Sequence, residues 1–410
     1  MTQTASKKSP ATSTPTEKKW DVLVIGAGTG GMTVAAMLRR LSPSISVGIL
    51  DPATIHYYQP LWTLVGGGIV PKENSGKPLC QMIPGGADWI QDAVSEIHPE
   101  ENHVITKSGK RYDYGYLVMA PGLTCNWDAI PGLAESVGEN GVCSNYSYDT
   151  VDSTWANIKA FEGGNAIFTH PNTPIKCGGA PQKIMYLAAD YWRKHPPKNP
   201  YKVIFCIATP TIFGVPAYAD ALMGAVKRYG IEVRFESNLT SIDAKNQTAD
   251  FEHLGDGAGC TLDYSMLHVT PPMGAPEFLK QSPLAGAGGW CDVDKHTLRH
   301  VTFDNVFALG DASNLPTSKT GAAIRQQAPT LYKNLLASME GKALPAKYTG
   351  YTSCPLVTGY NKLILAEFDY DKNLRETFPF DQTKERWSMF FLKKNLLPKF
   401  YWSMMMKGRP

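Results

Sequence analysis

The sequence predicts an α/β fold with parallel sheets, and three observations support that class. Short apolar runs typical of strands alternate with helix-like patterns, a glycine-rich turn joins the first strand to the first helix, and a similar strand-turn-helix pattern returns after residue 300. The 410 residues are enough for two or three domains. We therefore predict two Rossmann-like domains, the first of them split in sequence, followed by a separate carboxyl-terminal segment.

The predicted boundaries divide the chain into four regions. Residues 1–19 are a Ser/Thr/Lys-rich leader that we expect to be disordered. The split first domain comprises residues 20–142 and 296–345, and the second domain comprises residues 143–295. Residues 346–410 form the carboxyl-terminal region, which ends in a tail rich in aromatic and basic residues.

The expected secondary structure begins with a βαβ unit over residues 20–51, with strands at 22–25 and 45–50 and a helix at 32–41. A return strand follows at 116–120. The other predicted elements are strands at 166–169, 203–207 and 306–309, a helix at 181–193 and a helix from about residue 321.

Composition and charge exclude several classes of protein. With 43% hydrophobic and 19% charged residues, the chain is neither disordered nor collagen-like. The net charge of +3 gives no electrostatic footprint for binding nucleic acid. None of the eight cysteines has C-x-x-C spacing, so no structural metal is predicted. The most apolar stretch, residues 203–219, is interrupted by two prolines and is too short to span a bilayer.

The glycine-rich turn indicates a nucleotide site. Gly26, Gly28 and Gly31 fit G-x-G-x-x-G between a strand and a helix, where glycine permits a tight turn, a close approach to a pyrophosphate and close helix-strand packing. Asp51, at the end of the second strand, is placed to accept hydrogen bonds from a ribose diol, which disfavours NADP. The alternative is a glycine-rich turn without a ligand.

Two further motifs favour FAD over NAD. The strand pattern VFALGD at 306–311 ends in Asp311, which in two-dinucleotide flavoproteins lies on the ribityl chain, and Ala-Pro-Gly at 120–122 matches another short motif of that superfamily. The middle segment has no second G-x-G-x-x-G, so a pyridine nucleotide is not the expected reductant.

Two cysteines have surroundings that suit redox chemistry. Cys177 lies just before a predicted helix with Lys176 and Lys183 nearby, and both the helix terminus and the lysines favour a thiolate. Cys354 is expected in a Tyr-rich loop with turn-like surroundings. Spacing alone leaves open that both are structural residues. Cys206, inside an apolar strand pattern, is predicted to be a core residue.

Longer segments of the sequence resemble the sulfide:quinone oxidoreductase family, of the type that includes the mitochondrial enzyme, from about residue 20 to residue 406. The resemblance is carried by HYYQPLWTLVGGG (56–68), SNYSYDTV (144–151), TPIKCGGAPQKIMYL (173–187), HVTPPM (268–273), GDASNLPTSKT (310–320), YTSCPLVTGYNKLILAEFDY (351–370) and ETFPFDQTKERWSM (376–389).

The resemblance implies a mechanism in which Cys177 and Cys354 are the redox-active pair. Hydrogen sulfide attacks the bridged pair, Cys354 keeps the sulfur as a persulfide, and the Cys177 thiolate delivers two electrons to FAD. A small acceptor such as glutathione or sulfite removes the sulfur, and ubiquinone or a related quinone reoxidises the flavin. The number of sulfur atoms in the bridge is left open.

The resemblance also implies contacts to FAD. Two of them have plain alternatives, because Val94 would offer only backbone groups on an edge strand and Lys319, expected to stabilise the reduced flavin, could be a solvated loop residue. The implied FAD contacts are Thr29, Gly30, Asp51, Gln59, Val94, Asp311 and Lys319.

The carboxyl-terminal tail, residues 383–410, indicates a membrane-interface segment. It mixes aromatic residues and methionines with seven Lys or Arg and one Glu on short helices, which suits a monotopic position beside a source of apolar quinone. The alternative is a helix packed on the protein's own surface. Its removal is expected to leave FAD binding intact. The implied location is a bacterial cytoplasmic or mitochondrial inner membrane, although residues 1–20 show no transit helix or secretory signal.

Two rival functions remain open at this stage. One is an NADH- or ferredoxin-type flavin:quinone reductase on the same fold, against which the missing second glycine fingerprint argues. The other is a flavin-bound scaffold in which the two cysteines are incidental. Coupling between thiol titration and the flavin spectrum separates the scaffold from an enzyme.

Overall fold

The computed structural model describes residues 16–410. Its β-strands are β1 (Thr16–Ile25), β2 (Val47–Leu50), β3 (Ile55–Tyr57), β4 (Gly76–Pro78), β5 (Ala87–Ile90), β6 (Val94–His98), β7 (His103–Thr106), β8 (Arg111–Met119), β9 (Thr124–Cys125), β10 (Val142–Cys143), β11 (Gly164–His170), β12 (Tyr201–Ile207), β13 (Glu232–Phe235), β14 (Ser237–Asp243), β15 (Thr248–His253), β16 (Gly259–Asp263), β17 (Met266–His268), β18 (Met273–Gly274), β19 (Val306–Ala308), β20 (Thr352–Gly359) and β21 (Lys362–Phe368). Its α-helices are α1 (Thr29–Leu41), α2 (Trp62–Gly66), α3 (Val151–Ala160), α4 (Ala180–Lys194), α5 (Pro216–Tyr229), α6 (Glu277–Lys280), α7 (Ile324–Met339), α8 (Trp387–Phe391) and α9 (Leu397–Ser403).

The first sheet brings the predicted nucleotide motifs to one edge. Its strand order is β5-β2-β1-β8-β7-β6, and β19 pairs with the carboxyl-terminal half of β8. Strands β5, β2, β1, β8 and β19 are parallel, and Ile25 is in register with both Leu50 and Met119. The segments that follow these strands therefore emerge together, as expected of a nucleotide-binding α/β sheet.

The predicted leader lies partly inside this sheet. Residues 1–15 are outside the described residues, but residues 16–19 belong to β1 and pair with β8, so the prediction that the leader extends to residue 19 is wrong. The long partner strand allows β1 to continue through polar residues. Lys18 and the Trp20 indole both donate to the Asp88 carboxylate on β5 at 2.7 Å, which links this extension to β5.

The second parallel sheet has the order β10-β17-β11-β12-β13, with α4 and α5 as crossover helices between its neighbouring strands. Together the two sheets confirm the predicted α/β class. The apolar runs predicted as strands are interior, since Phe168 and Phe205 are fully buried. Cys206 on β12 is also fully buried, as predicted. A three-stranded antiparallel sheet, β14-β15-β16, follows in the chain.

The carboxyl-terminal region begins with the antiparallel hairpin β20-β21, which packs on the start of α4. After the hairpin, α8, a π-helical turn at Leu392–Leu396 and α9 follow one another closely. Within residues 16–410, no helix combines the length and the apolar character needed to cross a membrane.

Candidate active site

The turn between β1 and α1 requires glycine at two positions. Gly26 has φ +96°, and a Cβ atom there would collide with the Ala120 carbonyl, which follows β8. A Cβ atom on Gly31 would collide with the Gly26 carbonyl. At Gly28, by contrast, a Cβ atom would meet no atom within 4 Å. The turn is therefore tight on its inner side and open on the side that faces away from the sheet.

The open side fits the pyrophosphate of a dinucleotide. Gly28 caps α1 without a side-chain hydrogen bond, and the first turn of α1 contains no acidic residue, so its N–H groups and positive dipole end are uncompensated. Asp51 accepts hydrogen bonds from the backbone N–H groups of Ala27 at 2.6 Å and Ala53 at 2.8 Å. The carboxylate is thus fixed beside the turn, and its remaining lone pairs suit a ribose diol.

The second cofactor motif lies at the same edge of the sheet. Asp311 is in a short turn just after β19, and the Lys319 ammonium donates to the carbonyls of Asp311 at 2.8 Å and Ser313 at 2.9 Å. That ammonium also lies 3.9 Å from the centroid of the Trp290 ring. Burial lowers the pKa of Lys319 to about 8, whereas the Asp311 charge opposes that shift. Trp290 has no signal in the sequence.

The thiol loop, which we define as residues 171–179 between β11 and α4, is hydrogen-bonded to the cofactor edge, the edge of the first sheet where Asp51, Asp311 and Lys319 lie. The Cys177 N–H donates to the Lys319 carbonyl at 2.7 Å, and the Lys176 ammonium donates to the Gln59 side-chain oxygen at 2.8 Å. Burial raises the pKa of Asp311, and the charges of Lys319 and Lys176 oppose that shift. The fold therefore assembles these residues from distant parts of the chain into one site.

Val94 lies apart from this cluster. It is buried at the start of the edge strand β6, a few residues after the Ile90 carbonyl that accepts a hydrogen bond from the Asp51 N–H at 3.1 Å. No side-chain contact joins Val94 to the thiol loop, so its expected contact to adenine stays a prediction.

The two predicted redox cysteines meet in space. Their Sγ atoms are 2.9 Å apart, although 177 residues separate them in sequence, and they are not covalently bonded. Cys177 has φ +58° in the connection between β11 and α4. A Cβ atom on Gly179 would come within 3.0 Å of the Cys354 sulfur, so the absence of a side chain there lets the thiols approach.

The expected loop around Cys354 is wrong, because Cys354 is a fully buried residue in the middle of β20. Pro355 and Gly359 favour a turn in sequence. However, β20 pairs only with β21, so one edge is free, and a proline can point its missing donor toward that free edge. The strand holds Cys354 more rigidly than a loop would.

A buried lysine lies against the pair of thiols. Lys183, on α4 and 4% exposed, donates to the Cys177 sulfur at 3.1 Å. The hydrogen bond from Cys354, together with the Lys183 charge, holds the pKa of Cys177 well below its usual range. The hydrogen bond to Cys177 and burial raise the pKa of Cys354 well above its usual range. Cys177 is therefore the more acidic of the two thiols.

A second buried lysine comes from the π-helical turn. Lys393 is 5% exposed and donates to the Pro60 carbonyl at 3.0 Å. Burial, reinforced by the charge of Lys183, lowers the pKa of Lys393 to about 7. The sequence places Lys393 in the tail as one of many basic residues, and nothing in its neighbours distinguishes it. In the folded chain, Lys393 lies close enough to Lys183 and the two cysteines for their charges to affect its pKa.

The described residues contain no group of three or more His, Cys, Asp or Glu side chains that could hold a metal ion.

Comparison with known proteins gives consistent results. Residues 20–154 match the family described as pyridine nucleotide-disulphide oxidoreductase. The chain is 47% identical over 390 residues to the mitochondrial sulfide:quinone oxidoreductase of Mus musculus, with 95% of this chain and 87% of the mouse protein covered. It is 48% identical over 391 residues to the corresponding protein of Dictyostelium discoideum, with 95% and 86% covered. The X-ray structure of the sulfide:quinone oxidoreductase from Aquifex aeolicus superposes with a TM-score of 0.81 at 20% identity, with 96% and 92% covered.

The fold, the matched family and the curated relatives together define an FAD-dependent oxidoreductase with Rossmann-type domains. Because two curated relatives approach 50% identity over nearly the whole chain, the protein belongs to the sulfide:quinone oxidoreductase family. The predicted family, fold class and cofactor are thereby confirmed. The residues that contact FAD and the roles of the two cysteines stay predictions.

Proposed function

We propose that the protein oxidises hydrogen sulfide, passes two electrons by way of FAD to a ubiquinone-like quinone, and gives the sulfane sulfur to a small acceptor such as glutathione or sulfite. One observation carries the proposal. Two thiols from distant segments meet at 2.9 Å beside a buried lysine, and the backbone of one of them is hydrogen-bonded to Lys319 at the cofactor edge. Membership of the family supports the choice of sulfide and quinone.

The two cysteines divide the sulfur chemistry between them. With Cys177 and Cys354 bridged, attack by HS⁻ on the sulfur held by Cys354 breaks the bond to Cys177, forms a persulfide on Cys354 and releases Cys177 as a thiolate. Nucleophilic attack by the acceptor on the outer persulfide sulfur then leaves Cys354 reduced. Re-forming the bond between the two sulfurs releases two electrons and restores the starting pair.

The lysines match the charges that this sequence creates. Lys183 contacts the Cys177 sulfur and stabilises the thiolate when it leaves, so Cys177 is the better leaving group. Lys393, with a pKa of about 7, can gain or lose a proton at neutral pH while the two thiols change their charge. The position of Lys183 in the sequence already suggests its role, whereas the role of Lys393 depends on contacts that only the fold makes.

The residues at the open side of the turn and at the cofactor edge would hold FAD, which supplies a two-electron acceptor when bound. Asp51 would bind the ribose, the start of α1 the pyrophosphate, and Asp311 the ribityl chain. Lys319 would place a positive charge against the reduced isoalloxazine. The full proposed set is Gly26, Gly28, Thr29, Gly30, Gly31, Asp51, Gln59, Val94, Asp311 and Lys319.

The decisive experiment compares two reductants. Under anaerobic conditions, sulfide should bleach the flavin absorbance of the purified protein, whereas NADH should leave it unchanged for minutes. The reason lies in the second sheet, because the β11–α4 connection carries Pro171 and Cys177 where a dinucleotide-binding sheet has its glycine turn. Rapid bleaching by NADH, with none by sulfide, would favour the flavin:quinone reductase.

The carboxyl-terminal helices suggest that the protein docks on a membrane surface. Their inner face packs on the protein, with Phe390 and Tyr401 buried, as the alternative interpretation of the tail expected. Their outer face presents Trp387, Phe391 and Phe400, which are 61%, 41% and 47% exposed. Exposed aromatic residues among lysines suit an interfacial helix. We propose peripheral binding, at the mitochondrial inner membrane if the protein shares the location of its relatives.

Replacing this outer face should weaken membrane binding without affecting FAD. We expect the variant Trp387→Ser/Phe391→Ser/Phe400→Ser/Met404→Ser to bind anionic liposomes at least tenfold more weakly in a sedimentation assay. Its four exposed apolar side chains can no longer insert into the interface. A matched control replaces four exposed apolar residues elsewhere by Ser, namely Met223, Leu254, Val301 and Leu374. Equal sedimentation of both variants would contradict the interface assignment.

A further inference from the structure

A ring of hydrogen bonds connects the dinucleotide turn to the carboxyl-terminal segment. His56, 4% exposed, bonds the Ala27 carbonyl through Nδ1 at 2.8 Å and the Tyr401 hydroxyl through Nε2 at 2.5 Å. The Tyr401 hydroxyl is also 2.9 Å from the Thr29 hydroxyl. The ring therefore starts at Ala27 in the turn before α1 and ends at Thr29, the first residue of α1, and its far side lies on α9.

The donors and acceptors in this ring follow from chemistry. Burial lowers the pKa of His56, so its imidazole is neutral at neutral pH. A carbonyl can only accept, so Nδ1 carries the proton toward Ala27 and Nε2 accepts from the Tyr401 hydroxyl. The Tyr401 oxygen in turn accepts from Thr29. Each hydrogen bond in the ring therefore has one defined donor and one defined acceptor. Together the three bonds restrain the backbone from Ala27 to Thr29.

Aromatic packing holds Tyr401 in this position. Its ring centroid is 4.3 Å from that of Tyr58, and the neighbouring Trp402 packs edge-on against His56 at 5.6 Å. Tyr401 is only 3% exposed, whereas Phe400 beside it is largely exposed. The helix that faces solvent on one side thus presents a fixed hydroxyl to the cofactor turn on the other.

The segment also contacts the opposite end of α1. The Arg40 guanidinium donates to the Gly408 carbonyl at 2.7 and 3.1 Å, and Gly408 lies against the backbone of Ala36 and Met37. The carboxyl-terminal segment is thereby attached to both ends of the helix whose amino terminus faces the pyrophosphate. The expectation that this segment is dispensable for FAD binding does not take account of these contacts.

We propose that Tyr401 is a positioning residue for the dinucleotide turn, so that FAD binding and docking of the carboxyl-terminal segment on the protein stabilise each other. The proposal rests on FAD binding at the Gly26–Gly31 turn and is independent of the sulfide reaction. Because coupling between two binding events is reciprocal, weakening the contact should weaken FAD binding, and removing FAD should loosen the segment.

The test compares two substitutions that each remove one hydroxyl bonded to α1 or its turn. Tyr401→Phe breaks the bonds to Thr29 and His56, and Tyr332→Phe breaks a bond of the same 2.9 Å length to Ser42 at the far end of α1. We expect the FAD dissociation constant, measured by flavin fluorescence after dilution of the holoenzyme, to rise about tenfold for Tyr401→Phe and less than twofold for Tyr332→Phe.

A second measurement separates positioning from general stability. Limited trypsin digestion of the full-length protein, diluted until about half its FAD has dissociated, should be slowed at Lys399 and Lys407 when excess FAD is added. That protection should be lost in Tyr401→Phe. An unchanged FAD dissociation constant in Tyr401→Phe, an equal rise in both variants, or digestion unaffected by FAD would each overturn the proposal. Loss of sulfide oxidation alone would bear on the proposed function and not on this coupling.

Discussion

Replacing either Cys177 or Cys354 by Ser should reduce sulfide-dependent flavin reduction by about a thousandfold or more while FAD stays bound. The serine hydroxyl cannot form the sulfur bridge that HS⁻ attacks, and it cannot carry a persulfide. The remaining thiol has no partner cysteine with which it can re-form the bridge, so it cannot release two electrons. Stopped-flow reduction under anaerobic conditions measures the rate, and the visible spectrum reports bound FAD.

Cys206→Ser is the matched control for these variants. It makes the same atomic change in a fully buried thiol on β12, remote in function from the site. We expect turnover close to that of the unmodified protein and a loss of at most about 1–3 kcal/mol in the free energy of unfolding, because a hydroxyl replaces the thiol inside an apolar cluster in which Ser237 offers a hydrogen-bond partner. Normal sulfide turnover in Cys177→Ser or Cys354→Ser would exclude the bridged-pair mechanism.

The second large effect concerns two glycines of one turn. Gly31→Ala should lower the free energy of unfolding by about 1–3 kcal/mol, because its methyl group collides with the Gly26 carbonyl in the protein itself. Gly28→Ala should leave unfolding within about 0.5 kcal/mol of the original, because open space surrounds the added methyl. It should nevertheless weaken FAD binding by roughly 10- to 100-fold, because the methyl group would push the pyrophosphate away from the backbone N–H groups of the turn. Loss of one such charge-assisted hydrogen bond costs about 1.5–3 kcal/mol.

Thermal unfolding of the FAD-free proteins and fluorescence titration with FAD measure the two effects separately. Gly28→Ala is the informative variant, because its stability should be unchanged while its affinity for FAD falls. If Gly28→Ala bound FAD as tightly as the original protein, the pyrophosphate would not approach the open side of the turn.

Most of the fold follows from local patterns. The βαβ unit, the strands β8, β11, β12 and β19 and helix α4 are visible in sequence because buried parallel strands are continuous apolar runs. The start of β1 at Thr16 is not visible, because its polar residues are stabilised by pairing with β8 and by Asp88, a distant carboxylate. Likewise, Pro355 predicts a loop until the free edge of β20 is known.

The residues of the candidate site likewise fall into those that local sequence patterns predict and those that only the fold brings together. The glycine turn, Asp51 and Asp311 could be predicted because the chemistry of each depends on its immediate neighbours in sequence. Cys177 and Cys354 stand out only weakly by spacing, and the family resemblance was needed to pair them. Trp290, Lys393 and Tyr401 could not be found, because their contacts join segments that are far apart in the chain.

The separation of the two thiols along the chain has a consequence for how the protein matures. Cys177 and Cys354 are 177 residues apart, and the second reaches the first only when the β20-β21 hairpin packs against the start of α4. Contacts between residues this far apart in sequence are expected to form late, because closing a long loop costs more conformational entropy than closing a short one. We therefore expect a newly made chain to acquire its reactive pair late in folding. Until then its thiols are separate, and the rate at which sulfide turnover appears during refolding reports completion of the tertiary structure.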